Sequence, residues 1–401
     1  VILDSMAGGG AIPLEGIRYG FKVYANELNP VAAIVLKATL EYPVRFGRGL
    51  SSAIRRYAEQ VAERVRARLI DFFPLEPAEV WWAEEEERAK RTFRAKNIVS
   101  RAPASVDPPK NCYLWMRTVP CPKCGLKIPL CTNFYIVKKK GQPEKDLAVF
   151  PVVPHSGEVC AFRFVKPAQF PECRWPGMAP GKHFHPTETP TFKDGKAICP
   201  RCGNVLEGEE VKALARAGHL GNQLYGVATQ VPVRLTYRNG EEKIRYLWRF
   251  RPPNEADLEA VAAAEAELAR LRPGWEAQGL IPDERIPEDM EDTRPIEYGM
   301  PFWSDMFLPR QLLTNVVILE EIRCVREQAH RELPADQAEA VSVYLAFILS
   351  KVVDYNSVNT SWLYGRLSIT HTFLRHDFAF RGAFCEFDGA RLAVAWAARQ
   401  V

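Results

Sequence analysis

The chain has 401 residues, 47% of them hydrophobic and 25% charged, with a net charge of +4. These proportions belong to a globular protein large enough for two or three domains, and they exclude a disordered, collagen-like or disulfide-scaffold chain. No apolar run is long enough to cross a bilayer: the stretch 341–353 is broken by Ser342, Ser350 and Lys351. With no charged segment ahead of an apolar core at the N-terminus, a cytoplasmic location and no membrane partner are expected. Val1 already reads as part of a strand, which predicts a piece of a longer protein or a processed subunit.

Residues 1–4 (Val-Ile-Leu-Asp) read as a short buried strand, Ser5-Met6-Ala7-Gly8-Gly9-Gly10 as a tight turn, and 12–19 as the helix that follows. A second strand over 21–25 ends in Asn26-Glu27-Leu28-Asn29-Pro30, so an acidic side chain sits about 20 residues after the turn, where a second parallel strand leaves its sheet. Such a layout suits a nucleoside. Glycines let backbone approach the ligand, the helix start offers N–H groups, and the carboxylate can accept both ribose hydroxyls. The dinucleotide pattern G-x-G-x-x-G is not met, because the glycines are consecutive and Pro13 occupies the first helical turn. The alternative is an ordinary glycine turn in an α/β sheet.

The segment Asp4, Ser5, Met6, Ala7, Gly8, Gly9, Gly10, with Glu27, Leu28 and Asn29, resembles motif I and the acidic loop of S-adenosylmethionine-dependent amino-methyltransferases. Their usual form is D-P-F-x-G-x-G; here Ser5 replaces proline and Met6 replaces phenylalanine. The resemblance implies that Asp4 and the turn hold the methionine part of S-adenosyl-L-methionine and Glu27 its ribose.

Further on, 31–42 is predicted to be helical, and 51–73 a longer amphipathic helix capped by Ser51 or Ser52, with Ile54, Tyr57, Val61, Val65 and Leu69 on its inner face. Residues 84–96 read as a solvated charge run, and 101–110, with three prolines, as a linker.

Two near-identical knuckles follow, Cys121-Pro122-Lys123-Cys124-Gly125 and Cys199-Pro200-Arg201-Cys202-Gly203. Each can turn two thiolates toward one ion, so Cys121, Cys124, Cys199 and Cys202 are expected to make a tetrahedral Zn²⁺ site; redox pairs are the weaker reading of two matched knuckles. A long segment between the knuckles is tolerable because loop closure grows only logarithmically with length. Cys131, Cys160 and Cys173 read as buried thiols, and His155, His183 and His185 as surface residues. Over residues 107–203, fifteen Lys and Arg face seven Asp and Glu. Lys138, Lys139 and Lys140 beside Phe134 and Tyr135, with Arg163, Lys166, Arg174 and Trp175, combine phosphate-attracting charge with stacking rings and predict nucleic-acid binding. The competing reading is a hairpin tip kept soluble by lysines.

Residues 210–217 are predicted to form a short helix. Asn239-Gly240 should turn a hairpin between 231–238 and 243–250, and Asn254 should cap a helix over 255–271. An irregular connector over 282–301 leads to helices over 310–332 and 336–354, separated by Pro334.

Four stretches together resemble the zinc-ribbon-containing adenine-specific DNA methylases of prokaryotic defence loci: the glycine turn with 28–30 and 36–43, then 113–121, 303–313, and 354–357 with Trp362. The resemblance implies an α/β, Rossmann-like methyltransferase sheet with an inserted zinc-ribbon domain and a helical C-terminal part. Its divisions are a cofactor-binding part at 1–106, a basic zinc-ribbon insertion at 107–205, a mixed α/β connector at 206–300 and a helical part at 301–401. It further implies methyl transfer to adenine N6 of DNA, possible partner subunits of a defence complex, and an essential D-P-P-Y loop. Asp107-Pro108-Pro109-Lys110 lacks the aromatic ring, so the catalytic loop is expected beyond Val401 and no catalytic residue is assigned. Residues 307–313 resemble the F-x-T-P-x-x-L segment that closes over the methionine end of the cofactor, with Leu308 in place of threonine. Phe307 and Pro309 would then lie against residues 7–10, unless Pro309 merely starts a helix. A non-catalytic nucleic-acid-binding subunit with a vestigial cofactor fold, and an RNA or N4-cytosine methyltransferase, are the alternatives.

Overall fold

The computed structural model describes residues 1–76, 97–101, 110–237, 239–289, 291–374 and 377–401. The charge run at 84–96 and residues 102–109 of the linker, with Asp107, Pro108 and Pro109, lie outside the described residues. The protein is mixed α/β and divides into two compact units. The first is Val1–Leu69, Asn315–Val352 and Leu392–Val401; the second is Ile70–Thr314 and Val353–Arg391.

In the first unit, strand β1 (Ile2–Asp4), helix α1 (Ala11–Arg18) and strand β2 (Val23–Ala25) form a strand-helix-strand return in which β1 and β2 pair in parallel, Ile2 with Val23 and Asp4 with Ala25. A parallel pair needs a crossover, and α1 supplies it. Gly16 sets how closely that helix approaches, since a Cβ there would meet Val23 Cγ2 at 2.8 Å and Ile2 Cδ1 at 2.9 Å. The expectation of a buried first strand is corrected: Leu3 is 72% exposed and Tyr24 49% exposed. Side chains alternate along a strand, and α1 covers only the face that carries Ile2 and Val23.

Helix α2 (Pro30–Leu36) starts on Asn29, whose side chain accepts from the N–H groups of Val31 (2.9 Å) and Ala32 (3.4 Å), with proline at the first helical position. A π-turn at Lys37–Glu41 then feeds helix α3 (Tyr42–Leu69). This differs from the predicted break near residue 42. The chain stays helical through Pro43 and bends instead at Gly47 (φ 59°, ψ −150°), a conformation that glycine alone adopts cheaply. Ser51 and Ser52 consequently lie within the helix and cap nothing. Leu50, Tyr57, Val61, Val65 and Leu69 form the buried stripe of α3. Partners come from the other segments of this unit: Arg68 bonds Glu320 (2.8 Å) and Glu321 (2.9 Å), Tyr57 Oη donates to Glu332 (2.8 Å), and Arg45 pairs with Asp336 (2.6 Å).

The second unit is organised on an antiparallel sheet. Strands β3 (Asn97–Arg101), β4 (Lys110–Pro120) and β5 (Lys127–Pro129) are followed by a separate three-stranded sheet of β6 (Tyr135–Val137), β7 (Leu147–Val152) and β8 (Ala161–Val165). Short strands β9 (Phe192–Lys193), β10 (Lys196–Ile198) and β11 (Val205–Leu206) lead into helix α4 (Gly208–Leu214). The long strands β12 (Gly221–Thr236) and β13 (Glu242–Arg251) then form the expected hairpin, its turn closed by Tyr237 N–H to Glu241 (2.9 Å) with Gly240 at φ 82°. Helix α5 (Glu255–Ala277) begins at Asn254, which exchanges bonds with Asp257 (3.0 and 2.9 Å) in a capping box. Strands β14 (Ser361–Leu363) and β15 (Ser368–Thr370) pair with each other, and β16 (Ala383–Phe387) joins the main sheet in the order β13-β12-β4-β16.

Residues 111–119 of β4 are buried on both faces. Cys112, Leu114, Met116 and Val119 enter one core with the knuckle residues Cys121 and Cys199, with Tyr298 and Met300, and with Cys385 of β16. Tyr113, on the alternate face, lines the side of a buried ion pair: Arg310 donates through Nε and Nη2 to Glu386 (2.8 and 2.7 Å) and through Nη1 to the Phe72 carbonyl (2.9 Å). The guanidinium lies 4.1 Å from the Tyr113 ring and 4.7 Å from that of Phe73, and Trp115 Nε1 donates to the same carboxylate at 2.8 Å.

Candidate functional site

The glycine turn is built from both strand ends of the first unit. Asn26 N–H bonds the Asp4 carbonyl (2.8 Å), Ala7 N–H bonds the Asn26 carbonyl (3.1 Å), and Met6 N–H reaches the Asp4 carboxylate (3.3 Å). Glu27 spans the gap between them. One carboxylate oxygen accepts from Gly8 N–H at 2.7 Å and the other from Asn29 N–H at 3.0 Å. The Asn29 N–H, then the Gly8 N–H, hold this carboxyl below its ordinary range. Each oxygen keeps a lone pair for a further donor.

The three glycines differ in why they are there. Gly10 caps α1 at φ 85°, and a Cβ on it would meet Leu36 Cδ2 at 2.7 Å. Gly9 has no φ in the left-handed region, and no described residue beyond its chain neighbours lies within 4 Å of the place a Cβ would take, so close packing among the described residues does not require glycine there. Two carboxylates beside the turn, and Pro13 without an N–H, disfavour a pyrophosphate and suit neutral hydroxyls or an ammonium group. Ser5 and Met6 are exposed on the turn. Leu28 is 95% exposed, and the Asn29 side chain serves as the cap of α2.

In the second unit the four knuckle cysteines converge, their sulfurs all lying within 4.8 Å of one another. Cys121 and Cys202 Sγ are 3.7 Å apart, Cys124 and Cys199 Sγ 3.6 Å. A tetrahedron of sulfurs about 2.3 Å from a central zinc has edges of about 3.8 Å, so the set can hold such an ion. The knuckles close alike. Gly125 N–H returns to the Cys121 carbonyl (2.8 Å) and Gly203 N–H to that of Cys199 (2.9 Å), both glycines at positive φ (74° and 71°). Backbone N–H groups of Lys123 and Cys124 face the Cys121 sulfur, and those of Arg201 and Cys202 face Cys199, the arrangement that stabilises metal-bound thiolates. Burial pushes the Cys121 and Cys199 thiols upward, the direction a bound cation would oppose. The first knuckle sits at the end of β4 and the second between β10 and β11, so hairpins hold both. Cys131, Cys160 and Cys173 are buried as expected, away from this cluster.

The basic surface is corrected in one respect. Lys138, Lys140, Arg163, Lys166 and Arg174 are exposed and Lys139 half-buried, but Phe134, Tyr135 and Trp175 are buried and offer no stacking platform. Phe134 and Trp175 pack with Phe150 and Phe184 in the core of the three-stranded sheet, with ring centroids 5.1 to 6.1 Å apart. Lys138 caps the Tyr135 ring at 4.6 Å, Arg163 lies over Phe150 at 5.2 Å, and Arg174 donates to the Ala179 carbonyl (3.1 Å).

No family model, curated protein or solved structure matches this chain. The site therefore rests on its own geometry.

Phe307 and Pro309 belong to the second unit, the glycine turn to the first. Phe307 and Pro309 line a cleft of the second unit whose wall includes Arg117. The rest of their segment is engaged locally: Gln311 accepts from Leu308 N–H (2.9 Å) and donates to the Cys385 carbonyl (3.2 Å), and Arg310 holds Glu386. Sequence reasoning passed over Gly16, Arg310 with Glu386, and Arg117. For Arg117 a signal existed, a single charge inside the long apolar run of β4.

Proposed function

We propose that the chain is the cofactor-binding and metal-bearing part of an S-adenosylmethionine-dependent DNA methyltransferase directed at adenine N6, of the kind found in restriction and phage-defence systems. The observation that carries this reading is the Glu27 carboxylate accepting from the Gly8 N–H at 2.7 Å, beside a Gly9 that no close packing among the described residues requires. A nucleoside laid across residues 8–10 would give Glu27 two ribose hydroxyls and leave Asp4 near the ammonium of the methionine part. The parallel β1-α1-β2 return is then the start of a Rossmann-like sheet. Bound there, S-adenosylmethionine would supply an electrophilic methyl for in-line displacement by an amine. The chain's own part is to orient that methyl, with no covalent enzyme intermediate. The four cysteines would hold Zn²⁺ structurally, all positions being taken by thiolates.

The exposed Lys138, Lys140, Arg163, Lys166 and Arg174 favour a nucleic-acid partner and also support a second reading, a binding subunit without catalysis. Incubating the full-length protein with DNA and labelled cofactor, then identifying the labelled base by mass, separates the two: labelled N6-methyladenine supports the first, and retained DNA binding without label supports the second.

For the cofactor site, Glu27→Ala is expected to weaken S-adenosylmethionine binding by about tenfold or more, because the ribose hydroxyls lose their acceptor. Calorimetry on the folded variant measures this, and an unchanged dissociation constant would remove Glu27 from the site.

A further inference from the structure

Three arginines are buried among the described residues, and two of them have carboxylate partners: Arg310 with Glu386, and Arg251 with Asp257. The third is Arg117, 4% exposed on β4. Its Nε donates to the Arg381 carbonyl at 3.2 Å, its Nη2 meets the Met300 sulfur at 3.4 Å, and its guanidinium lies 5.3 and 5.6 Å from the rings of Phe380 and Phe384. Among the described residues no carboxylate pairs with it, and burial alone pushes the guanidinium down to about 10. An isolated buried charge is costly and is ordinarily matched by a counter-charge.

Arg117 lines a cleft of about 250 Å³ in the second unit, together with Asn222, Arg272, Ser304, Asp305 and Phe307. Of the charged groups there, Arg272, bound to Glu276 (2.6 Å), is the second cation, and Asp305, which accepts from the Phe302 N–H (2.9 Å) through one oxygen, is the single carboxylate among two arginines. The cleft is smaller than the ~300–1,000 Å³ typical of drug-sized ligands. Arg117 lies too deep for the backbone of a duplex to reach its guanidinium, which leaves a small molecule.

We propose that this cleft is a binding site for a small oxyanion, a phosphate or carboxylate group, which supplies the counter-charge that Arg117 lacks among the described residues. A guanidinium matches either group with parallel N–H donors, and Arg117 Nη1 donates to none of the described residues. This site belongs to the second unit, and the inference does not rest on methyl transfer.

Calorimetric titration of the whole chain with inorganic phosphate, and separately with malonate, tests it and tells the two sources apart. One anion per chain is expected to bind, with a dissociation constant of about 1 mM or tighter for the preferred anion. Arg117→Lys, which keeps the charge and loses the fork, is expected to weaken it about tenfold. Asn222→Phe fills the cleft from an exposed position on β12 without touching the buried core, and is expected to abolish binding. It decides the matter if the Arg117 variant does not fold. Failure of both anions to bind the unaltered protein, or binding unchanged in Asn222→Phe, overturns the proposal.

Discussion

Replacing Cys199 with serine is expected to cost the chain its metal and to loosen the second unit well beyond the knuckles. Structural zinc contributes apparent free energies of about 10–16 kcal/mol in small zinc domains, and three thiolates hold it far less tightly than four. The loss would spread because Cys121 and Cys199 are members of the same core as Leu114 and Met116 of β4 and Cys385 of β16. The cysteines thus anchor the end of the strand on which this unit is built. Metal analysis should give one zinc per chain for the unaltered protein and well under one for the variant, with new protease cleavage inside residues 110–314. Residues 1–69 belong to the other unit and are expected to keep their resistance. Full zinc retention with unaltered proteolysis would count against the four-cysteine centre.

The buried pair Arg310 and Glu386 carries the next largest expectation. The side chains are 1% and 0% exposed, and the carboxylate also takes the Trp115 indole N–H. Glu386→Ala leaves Nε and Nη2 of Arg310 and the Trp115 indole N–H without their acceptor and the guanidinium without its counter-charge, and should destabilise the second unit by about 3–5 kcal/mol. The paired replacement Arg310→Met with Glu386→Leu removes both charges at similar volume and should recover most of that loss, since replacing a buried pair with apolar side chains is often neutral. Urea unfolding of both variants measures the difference. A single variant within about 1 kcal/mol of the unaltered protein, or a double variant no better than the single, would show that the pair is not what holds β16 to helix Pro309–Glu332.

What could be read from the sequence was local. The knuckle spacing placed four sulfurs around one point because each Cys-x-x-Cys-Gly closes its own turn, and Asn254 and Asn239-Gly240 did their work within a few residues. The glycine turn and Glu27 were legible for the same reason, both lying at the ends of a single strand-helix-strand return. What escaped depended on distant partners. Glu386 is 76 residues from Arg310, and nothing near either residue announces the other. The Phe134 and Trp175 rings stand near lysines and arginines in the sequence, yet they turn into a core assembled from strands up to tens of residues away. Helix α3 was expected to start only at residue 51, whereas the π-turn at Lys37–Glu41 and the positive φ of Gly47 let the chain stay helical from Tyr42.

The three-part make-up of the first unit bears on how the protein is synthesised. About 245 residues of the other unit separate Leu69 from Asn315. At roughly 5–20 residues per second, α3 waits on the order of 10–50 s on the ribosome before its partners at Glu320, Glu321, Glu332 and Asp336 exist. Throughout that interval the stripe from Leu50 to Leu69 has nothing from those segments to cover it, and its closing contacts span up to 291 residues, a separation that slows folding. Nascent chains halted before residue 315 should therefore hold holdase chaperones on α3, and the segment made early in this chain is completed only after most of the rest has folded.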